Sequence, residues 1–247
     1  MINHIIHQTW KTKDIPNEFK GYVASWRKYN PDWEYRLWTD GDCLDFIEKE
    51  YPWFLSQYQS YKTNILRADA VRYFILYHYG GLYVDLDFEC LQPMSSIMSD
   101  NHALFFGAEP MIHSQRLYGL DQLVCNALMG SVPGHSFWPH VFNQLKENQN
   151  KRHTIEATGP FMLQDAVNTY DGKDLVYIYS DTVFYPLPCL FNRRLKLSQR
   201  QIEHYESMVL TASYPEESIA VHHWAGTWWK KWHLRYWVDK LKNWSTK

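Results

Sequence analysis

The stretch I-L-R-A-D-A-V-R-Y-F-I-L-Y-H-Y-G-G-L-Y-V-D-L-D-F, residues 65–88, reads as a buried helix, a Gly80-Gly81 break and a short strand closing on Asp85 and Asp87. Residues 70–79 are apolar on most sides of a helix, which predicts that this helix lies inside the domain. Against that background Asp69 and Arg72 stand out. They are three residues apart and share one helical face, and burying charges without partners is costly. They serve either as a structural ion pair or as substrate ligands. A buried aspartate can accept two sugar hydroxyls, and arginine offers a rigid fork to oxygen. Asp85 and Asp87 flank Leu86, so on a strand both point to one side. Two carboxylates aimed at one spot repel unless a cation lies between them, so the pair is expected to hold a divalent metal. Carboxylate oxygens suit Mg²⁺ or Mn²⁺, with substrate phosphates completing the shell. An ion bridging two phosphates would neutralise a departing nucleoside diphosphate.

The flanking sequence predicts the frame. Residues 2–9 form a strand ending in His7-Gln8-Thr9-Trp10. Ligands of open α/β sheets bind beyond the carboxyl ends of strands, so Trp10 is placed either to stack on a flat ring or to join the core. A helix over 16–29, a turn at 30–32, a strand over 33–38 and helices over 43–51 and 53–61 follow. This alternation predicts an α/β fold with a parallel sheet. Further on, a short helix over 93–98 and a strand over 103–108 are expected, and 117–129, with Asp121 and Asn126, reads as helix or strand. Helices over 136–148 and 161–169 come next. Thr158-Gly159-Pro160 opens the second of them, where free amides suit an anion or a sugar hydroxyl. Strands are expected over 175–179, 182–185 and 218–222, with 186–200 irregular. The last strand runs into His222-His223, either of which could complete a metal site. No repeat, low-complexity segment or linker divides the chain, so residues 1–247 are expected to form one domain.

Composition narrows the classes. The net charge of −2 gives no global reason to bind nucleic acid. The 12 Trp, 18 Tyr and 12 Phe suit stacking on sugars or bases, or simply an aromatic core. Cys43, Cys90, Cys125 and Cys189 are widely spaced, with no Cys-x-x-Cys pair, and read as reduced thiols of a cytosolic protein. The start lacks the pattern of a secretion signal, and no run is long enough to span a bilayer. A cytoplasmic location is expected, with the inner face of a membrane as a second site. Residues 227–247 carry Trp228, Trp229, Trp232, Trp237 and Trp244 among Lys230, Lys231, Arg235, Lys240 and Lys242. As a basic, Trp-rich helix this segment could make a peripheral contact with an anionic membrane, or pack as a closing helix.

These motifs together resemble glycosyltransferase family 32, the DXD-containing sugar-binding family of yeast initiating mannosyltransferases, inositol-phosphoceramide mannosyltransferases and bacterial capsular polysaccharide transferases. The family is more distantly similar to clostridial glucosylating toxins. The resemblance rests on R-A-D-A-V-R-Y through D-L-D, on I-I-H-Q-T-W, N-P-D-W-E-Y-R-L-W-T-D and N-A-L-M-G-S-V-P-G-H-S-F-W, and on T-G-P and H-H-W-A-G-T-W, in the family's order. It implies a GT-A type nucleotide-sugar-binding fold with a mostly parallel central sheet flanked by helices. It also implies a metal-dependent, retaining hexosyl transfer from a UDP-hexose or GDP-mannose donor to a glycan or lipid-linked acceptor, as in polysaccharide biosynthesis. Carried over by position, His7, Gln8, Thr9 and Trp10 meet the nucleotide, with Trp10 stacking on the base. Asp69 and Arg72 hold the donor sugar with Asn126 near it, Asp85 reaches ribose or sugar hydroxyls, and Asp87 binds Mn²⁺ or Mg²⁺ directly. His222 or His223 supplies the late metal ligand, and Thr227 and Trp228 approach the diphosphate. Thr227 stands where the family usually has serine, which keeps the hydroxyl. No nucleophile–base pair is evident, in keeping with same-face attack assisted by the leaving phosphate. The alternative is a non-catalytic protein that binds carbohydrate or nucleotide sugar on the same fold.

Overall fold

A computed structural model describes residues 1–98, 100–151, 153–172 and 175–226. Thr227, Trp228 and the expected Trp-rich helix lie outside the described residues. The first part alternates as expected through β1 (Ile5–Thr9), α1 (Asn17–Tyr29), β2 (Glu34–Trp38), α2 (Asp40–Glu50), α3 (Pro52–Ser60), α4 (Asn64–Tyr79) and β3 (Gly81–Val84). Then follow β4 (Phe88–Cys90), the single turn α5 (Ser95–Met98), β5 (Leu104–Ala108), the short α6 (Met111–His113) and β6 (Val124–Ser131). The chain continues with α7 (Phe137–Glu147), α8 (Thr154–Ala157), α9 (Pro160–Thr169), β7 (Tyr177–Tyr179), α10 (Asp181–Phe184), α11 (Gln199–Thr211) and β8 (Ala220–His222).

Six strands form one sheet in the order β2-β1-β3-β6-β5-β7, and β4 and β8 pair in a separate two-stranded sheet. Three pairings in the large sheet are parallel: β1 with β2, β1 with β3, and β5 with β7. β6 runs antiparallel to both of its neighbours. The 109–123 connection contains no crossover helix of the length that a parallel return from β5 to β6 requires, so the reversal follows from the chain itself.

Side chains alternate across the sheet with a period of two. Tyr83, Leu104, Phe106 and Met129 join the core shared with α2, α3, α4, α7 and α9. Ile6, Leu82, Val84, Phe105 and Leu128 join a second core with Trp26, Phe88 and Tyr185 on the other face. Among the described residues most aromatics are therefore core or packed against it: Trp26, Trp138, Tyr73, Tyr83 and Tyr185 are among the largest fully buried side chains. The four cysteines are free and buried.

Local differences from the sequence reading have identifiable causes. α2 starts at Asp40 because Thr39 and Asp42 cap it reciprocally, the Asp42 amide donating to Thr39 Oγ1 and the Thr39 amide to Asp42 Oδ2. Residues 181–184 form a helical turn rather than a strand. Four residues are too few for β-branched propensity to prevail, and Asp181 is held by the Met111 amide at 2.9 Å. α11 was not anticipated, although Ser198 and Gln201 form a capping box; none of its residues is buried, so it gives no strong apolar stripe.

Gly80 ends α4 with φ 62° and Gly81 begins β3 with φ 87°, both in the left-handed region. A Cβ on Gly81 would lie 2.5 Å from the Ile5 carbonyl oxygen, and one on Gly80 would lie 2.6 Å from Pro133 Cδ. Two rigid backbones thus close on the turn that joins helix to site. Gly81→Ala is expected to destabilise the protein by about 1–3 kcal/mol from backbone strain alone, measurable by urea denaturation.

Candidate active site

β3 ends at Val84, so Asp85, Leu86 and Asp87 lie in a turn and not on the strand. The alternation that seemed to align the two carboxylates therefore does not apply; the turn itself brings them together. It is closed by the Phe88 amide donating to the Asp85 carbonyl at 3.2 Å, and pinned by the Asp85 amide donating to the Ala127 carbonyl at 2.8 Å. Leu86 anchors it from below, packed with Phe19, Val23, Ala225 and Trp10.

The small β4–β8 sheet delivers the histidine. Its register sets Phe88 opposite His222, and the two rings stack at 4.5 Å. His222 Nε2 lies 3.0 Å from Asp87 Oδ1, while Asp87 Oδ2 accepts the Ala225 amide at 2.8 Å. One ligand atom each from Asp85, Asp87 and His222 lie within 4.8 Å of one another. His223, the neighbour on the chain, faces elsewhere: its Nε2 is 3.0 Å from Glu89 Oε2 and its ring stacks on Tyr22 at 4.3 Å. The geometry thus separates the two histidines left open by the sequence.

The electrostatics suit a cation. Burial pushes the Asp85 carboxyl up; Arg72 offsets this only in part, and Asp87 adds to it. At Asp87 burial acts in the same direction but is outweighed by the charge and hydrogen bond of His222 and by the Ala225 amide, leaving it below the usual carboxylate range. Burial alone would lower His222; Asp87 and Asp85 outweigh it and hold the imidazole above its ordinary value. His222 Nδ1 is buried without a partner. A proton on His222 therefore does part of what a metal ion would do there. The stability that His222 contributes in metal-free protein is complete below the ordinary histidine value of about 6.5. It is lost as pH rises through the raised value. A metal ion needs the neutral ring, so Mn²⁺ is expected to bind more weakly at pH 6 than at pH 8, by about tenfold or more. His222→Ala is expected to flatten that dependence and His223→Ala to preserve it, as read by Mn²⁺ titration.

α4 supplies the second half of the site. Residues 69–76 are all buried, so the Asp69 and Arg72 charges are enclosed and must be paired. Arg72 bonds Asp69 Oδ1 at 2.8 Å through Nη2 and lies 3.4 Å from Asp85 Oδ1 through Nη1. Its Nη1 also donates to the Asn126 carbonyl at 2.7 Å, and the guanidinium lies 4.5 Å from the Tyr83 ring centre. Burial works against the Arg72 charge, but Asp85, Tyr83 and Asp69 more than compensate and raise its pKa. Burial lifts Asp69 to about 7 despite Arg72. Asn126, on β6, donates through Nδ2 to Asp69 Oδ1 at 3.2 Å and to Tyr73 Oη at 3.1 Å. The ion pair and the sugar-ligand readings of Asp69 and Arg72 are thus compatible: the same bonds that satisfy the charges fix their direction.

The β1 end divides into supports and contacts. His7 and Gln8, assigned by resemblance to the nucleotide, are fully buried and bonded inward. Burial lowers His7 to about 4. Its Nδ1 accepts from Trp38 Nε1 at 3.1 Å, so its Nε2–H donates to the Gly80 carbonyl at 3.1 Å. Gln8 accepts from Tyr35 Oη at 2.7 Å and donates to the Asp85 carbonyl at 3.2 Å. Both hold the Gly-Gly turn and the acidic turn in place, because an interior strand offers no open face at these positions. Thr9 Oγ1 lies 2.9 Å from Tyr83 Oη, which donates to Asp85 Oδ1 at 3.0 Å. Trp10 is half-buried beside the acidic turn, edge-on to Phe19 at 5.6 Å. Tyr83 was not anticipated, yet it stands two residues before Asp85 at the end of the same strand and supports both carboxylate and guanidinium. Thr227 and Trp228 lie outside the described residues.

Known proteins resemble the chain over the part that carries α4 and the acidic turn. Residues 16–104 match the family described as glycosyltransferase sugar-binding region containing DXD motif. The chain is 41% identical over 149 residues to inositol phosphoceramide mannosyltransferase 2 of Schizosaccharomyces pombe, covering 60% of this chain and 39% of that relative. It is 42% identical over 146 residues to mannosyl phosphorylinositol ceramide synthase SUR1 of Saccharomyces cerevisiae, covering 59% of this chain and 35% of the relative. The chain thus spans well under two thirds of the length of these relatives. Among solved structures, mouse xyloside xylosyltransferase 1 in its apo form is similar with a TM-score of 0.52 at 12% identity, over 91% of this chain and 98% of the other. At that identity the likeness is one of fold, and the expected GT-A architecture is borne out. Residues 16–104, which include α4, the glycine break and the acidic turn, are the part of the chain that is similar to the DXD-containing sugar-binding region.

Proposed function

We propose that the protein is a metal-dependent, retaining glycosyltransferase that moves a hexose from a nucleotide-diphosphate sugar to a glycan or lipid-linked acceptor. The observation that carries this reading is the convergence of Asp85, Asp87 and His222 beside the Asp69–Arg72–Asn126 network. Two carboxylates and an imidazole whose ligand atoms lie within 4.8 Å of one another fit Mn²⁺ or Mg²⁺, and these three residues would hold the ion. When bound, such an ion neutralises charge on the diphosphate as it leaves.

The protein's own groups do the rest. Asp69 and Asn126 are poised to accept and donate hydrogen bonds to sugar hydroxyls, and Arg72 sets the direction of both. Trp10 offers an aromatic face to the base. Tyr83 holds Asp85 in place through its hydroxyl. Retention follows from same-face attack, in which positioning and charge stabilisation carry the reaction. The relatives are named for mannosyl transfer involving inositol phosphoceramide, which makes GDP-mannose the first donor to test and a lipid-linked acceptor the first acceptor.

A thermal-shift screen of GDP- and UDP-sugars with and without Mn²⁺ tests the proposal. One nucleotide class is expected to raise the melting temperature, and only when Mn²⁺ is present. No shift for any donor with Mn²⁺ would sink the reading. Donor binding without turnover, unaffected by EDTA, would favour the non-catalytic alternative.

A further inference from the structure

Between β5 and β6 the chain passes through α6 and a wide turn over Ser114–Tyr118, which ends at Gly119 with φ 67°. This excursion leaves Met111 58% and Leu120 37% exposed. Against it packs a short 3₁₀ turn, Arg193–Leu195, in which Leu195 is the buried anchor. Asn192 caps that turn by accepting the Arg194 amide, and Lys196 leaves it with φ 48°. Arg116 ties the two segments together, donating through Nη1 to the Leu195 carbonyl at 2.8 Å and the Lys196 carbonyl at 3.2 Å. Arg194 stands close enough to Tyr118 for its charge to act on the hydroxyl.

Arg116, Arg193, Arg194 and Lys196 are all exposed. Among the described residues none of them pairs with a carboxylate. On a chain of net charge −2, four cations without a carboxylate partner among the described residues gather on two segments bonded together. Glu109, the buried acid of the excursion, is turned inward onto His113 at 3.2 Å; Asp121 is its exposed acid, and Asp181, from α10, is engaged by the Met111 amide at 2.9 Å.

This face also lies beside the candidate active site. His113 Nε2 accepts the Cys189 amide at 2.8 Å, and Trp224 Nε1 donates to the Leu187 carbonyl at 2.7 Å. The Trp224 ring packs on His113 at 4.6 Å and on His222 at 4.2 Å. The excursion, the 187–196 segment and the Asp85–Asp87–His222 cluster are therefore one continuous contact network.

We propose that this rim is a docking face for an anionic lipid bilayer. The four cations seat on phosphate headgroups, and the exposed Met111 and Leu120 enter the interfacial layer. Guanidinium forks match phosphate oxygens, and basic side chains beside exposed apolar ones are the composition of a surface that binds membranes. A soluble anion would account for the charges but not for the two apolar side chains beside them. Docked this way, the bilayer is joined to the acidic cluster through the Trp224 and His113 contacts. The proposal stands independently of the transferase reading.

The test is flotation of the whole 247-residue chain with phosphatidylcholine vesicles, with and without phosphatidylinositol. The unmodified protein is expected to float with the anionic vesicles, less so at high salt, and to remain unbound with phosphatidylcholine alone. Arg193→Glu, Arg194→Glu and Lys196→Glu together are expected to weaken flotation at least about tenfold. Met111→Asp alone weakens it with no change in the cations. Circular dichroism and the melting temperature report whether each variant is folded. Undiminished flotation of the folded triple variant assigns membrane binding to residues 227–247 and overturns the proposal. Equal flotation with both vesicle types, or none with anionic ones, overturns it as well. Loss of the donor-induced thermal shift in the unmodified protein would count against the transferase reading alone.

Discussion

Replacing Asp87 by asparagine is expected to lower transfer by about a thousandfold, with little loss of fold. The estimate follows from the cost of removing one electrostatic element from a preorganised site, about 10²–10³ in kcat, with loss of metal affinity added. The substitution is nearly isosteric. Its carbonyl oxygen can still accept the Ala225 amide that Asp87 Oδ2 accepts now, so the turn need not open. What disappears is the negative charge. That charge raises His222, and it would pair with a divalent ion. Two readouts should move together: Mn²⁺ affinity falls, and His222 drifts toward the behaviour of a buried histidine without a carboxylate, its pKa lowered. Transfer assays and Mn²⁺ titration check the first, and imidazole NMR the second. Unchanged transfer, with EDTA also without effect, would remove the metal from the mechanism.

The second large effect is expected at Arg72. Arg72→Ala leaves Asp69 and Asp85 without their shared cation in a site where Asp69 is already lifted to about 7. Removing one partner of a buried ionic network costs about 3–5 kcal/mol, and here two carboxylates lose the same partner. Urea denaturation at neutral pH measures that loss. A variant this unstable could hide its effect on donor binding, so Arg72→Lys is the informative companion. Lysine keeps the charge but cannot reach Asp69, Asp85, the Asn126 carbonyl and the Ala68 carbonyl together, as the guanidinium does. A smaller loss of stability, with most of the donor-induced thermal shift gone, is the expected result. A normal donor shift in Arg72→Lys would make the network purely structural.

How much of this was legible before the structure depends on the range of the interaction. The helix over 64–79, the glycine break and the acidic pair are local, and each is written in a few consecutive residues. Asp69 and Arg72 declared themselves because charges in an apolar helix need a reason. What the linear text hid were partnerships made across the chain. Nothing near His7 or Gln8 indicates that their side chains point inward to hold Gly80 and Asp85, since that is decided by β1 lying between β2 and β3. The choice between His222 and His223 needed the β4–β8 register. Tyr83 was the avoidable omission, because its two-residue spacing from Asp85 already placed it near the carboxylate. The antiparallel β6 was hidden for a different reason: Asn126 sits in a segment whose apolar run fits helix and strand alike.

The two-stranded β4–β8 sheet has a kinetic meaning. Asp85 and Asp87 belong to a turn built early in the chain, whereas His222 and the Ala225 amide arrive from more than a hundred residues later. Three register pairs join β4 to β8, extended by the His223 amide on the Asp87 carbonyl and the Leu91 amide on the Ile219 carbonyl, and neither strand belongs to the six-stranded sheet. The site can therefore come apart at one seam while the large sheet stays whole. Amide exchange at Val221, His222 and Ala225 should then be faster than in β3, and should slow when Mn²⁺ is added. The ion would act as a rivet between the two ends of the chain, so that occupancy of the site reports completed assembly.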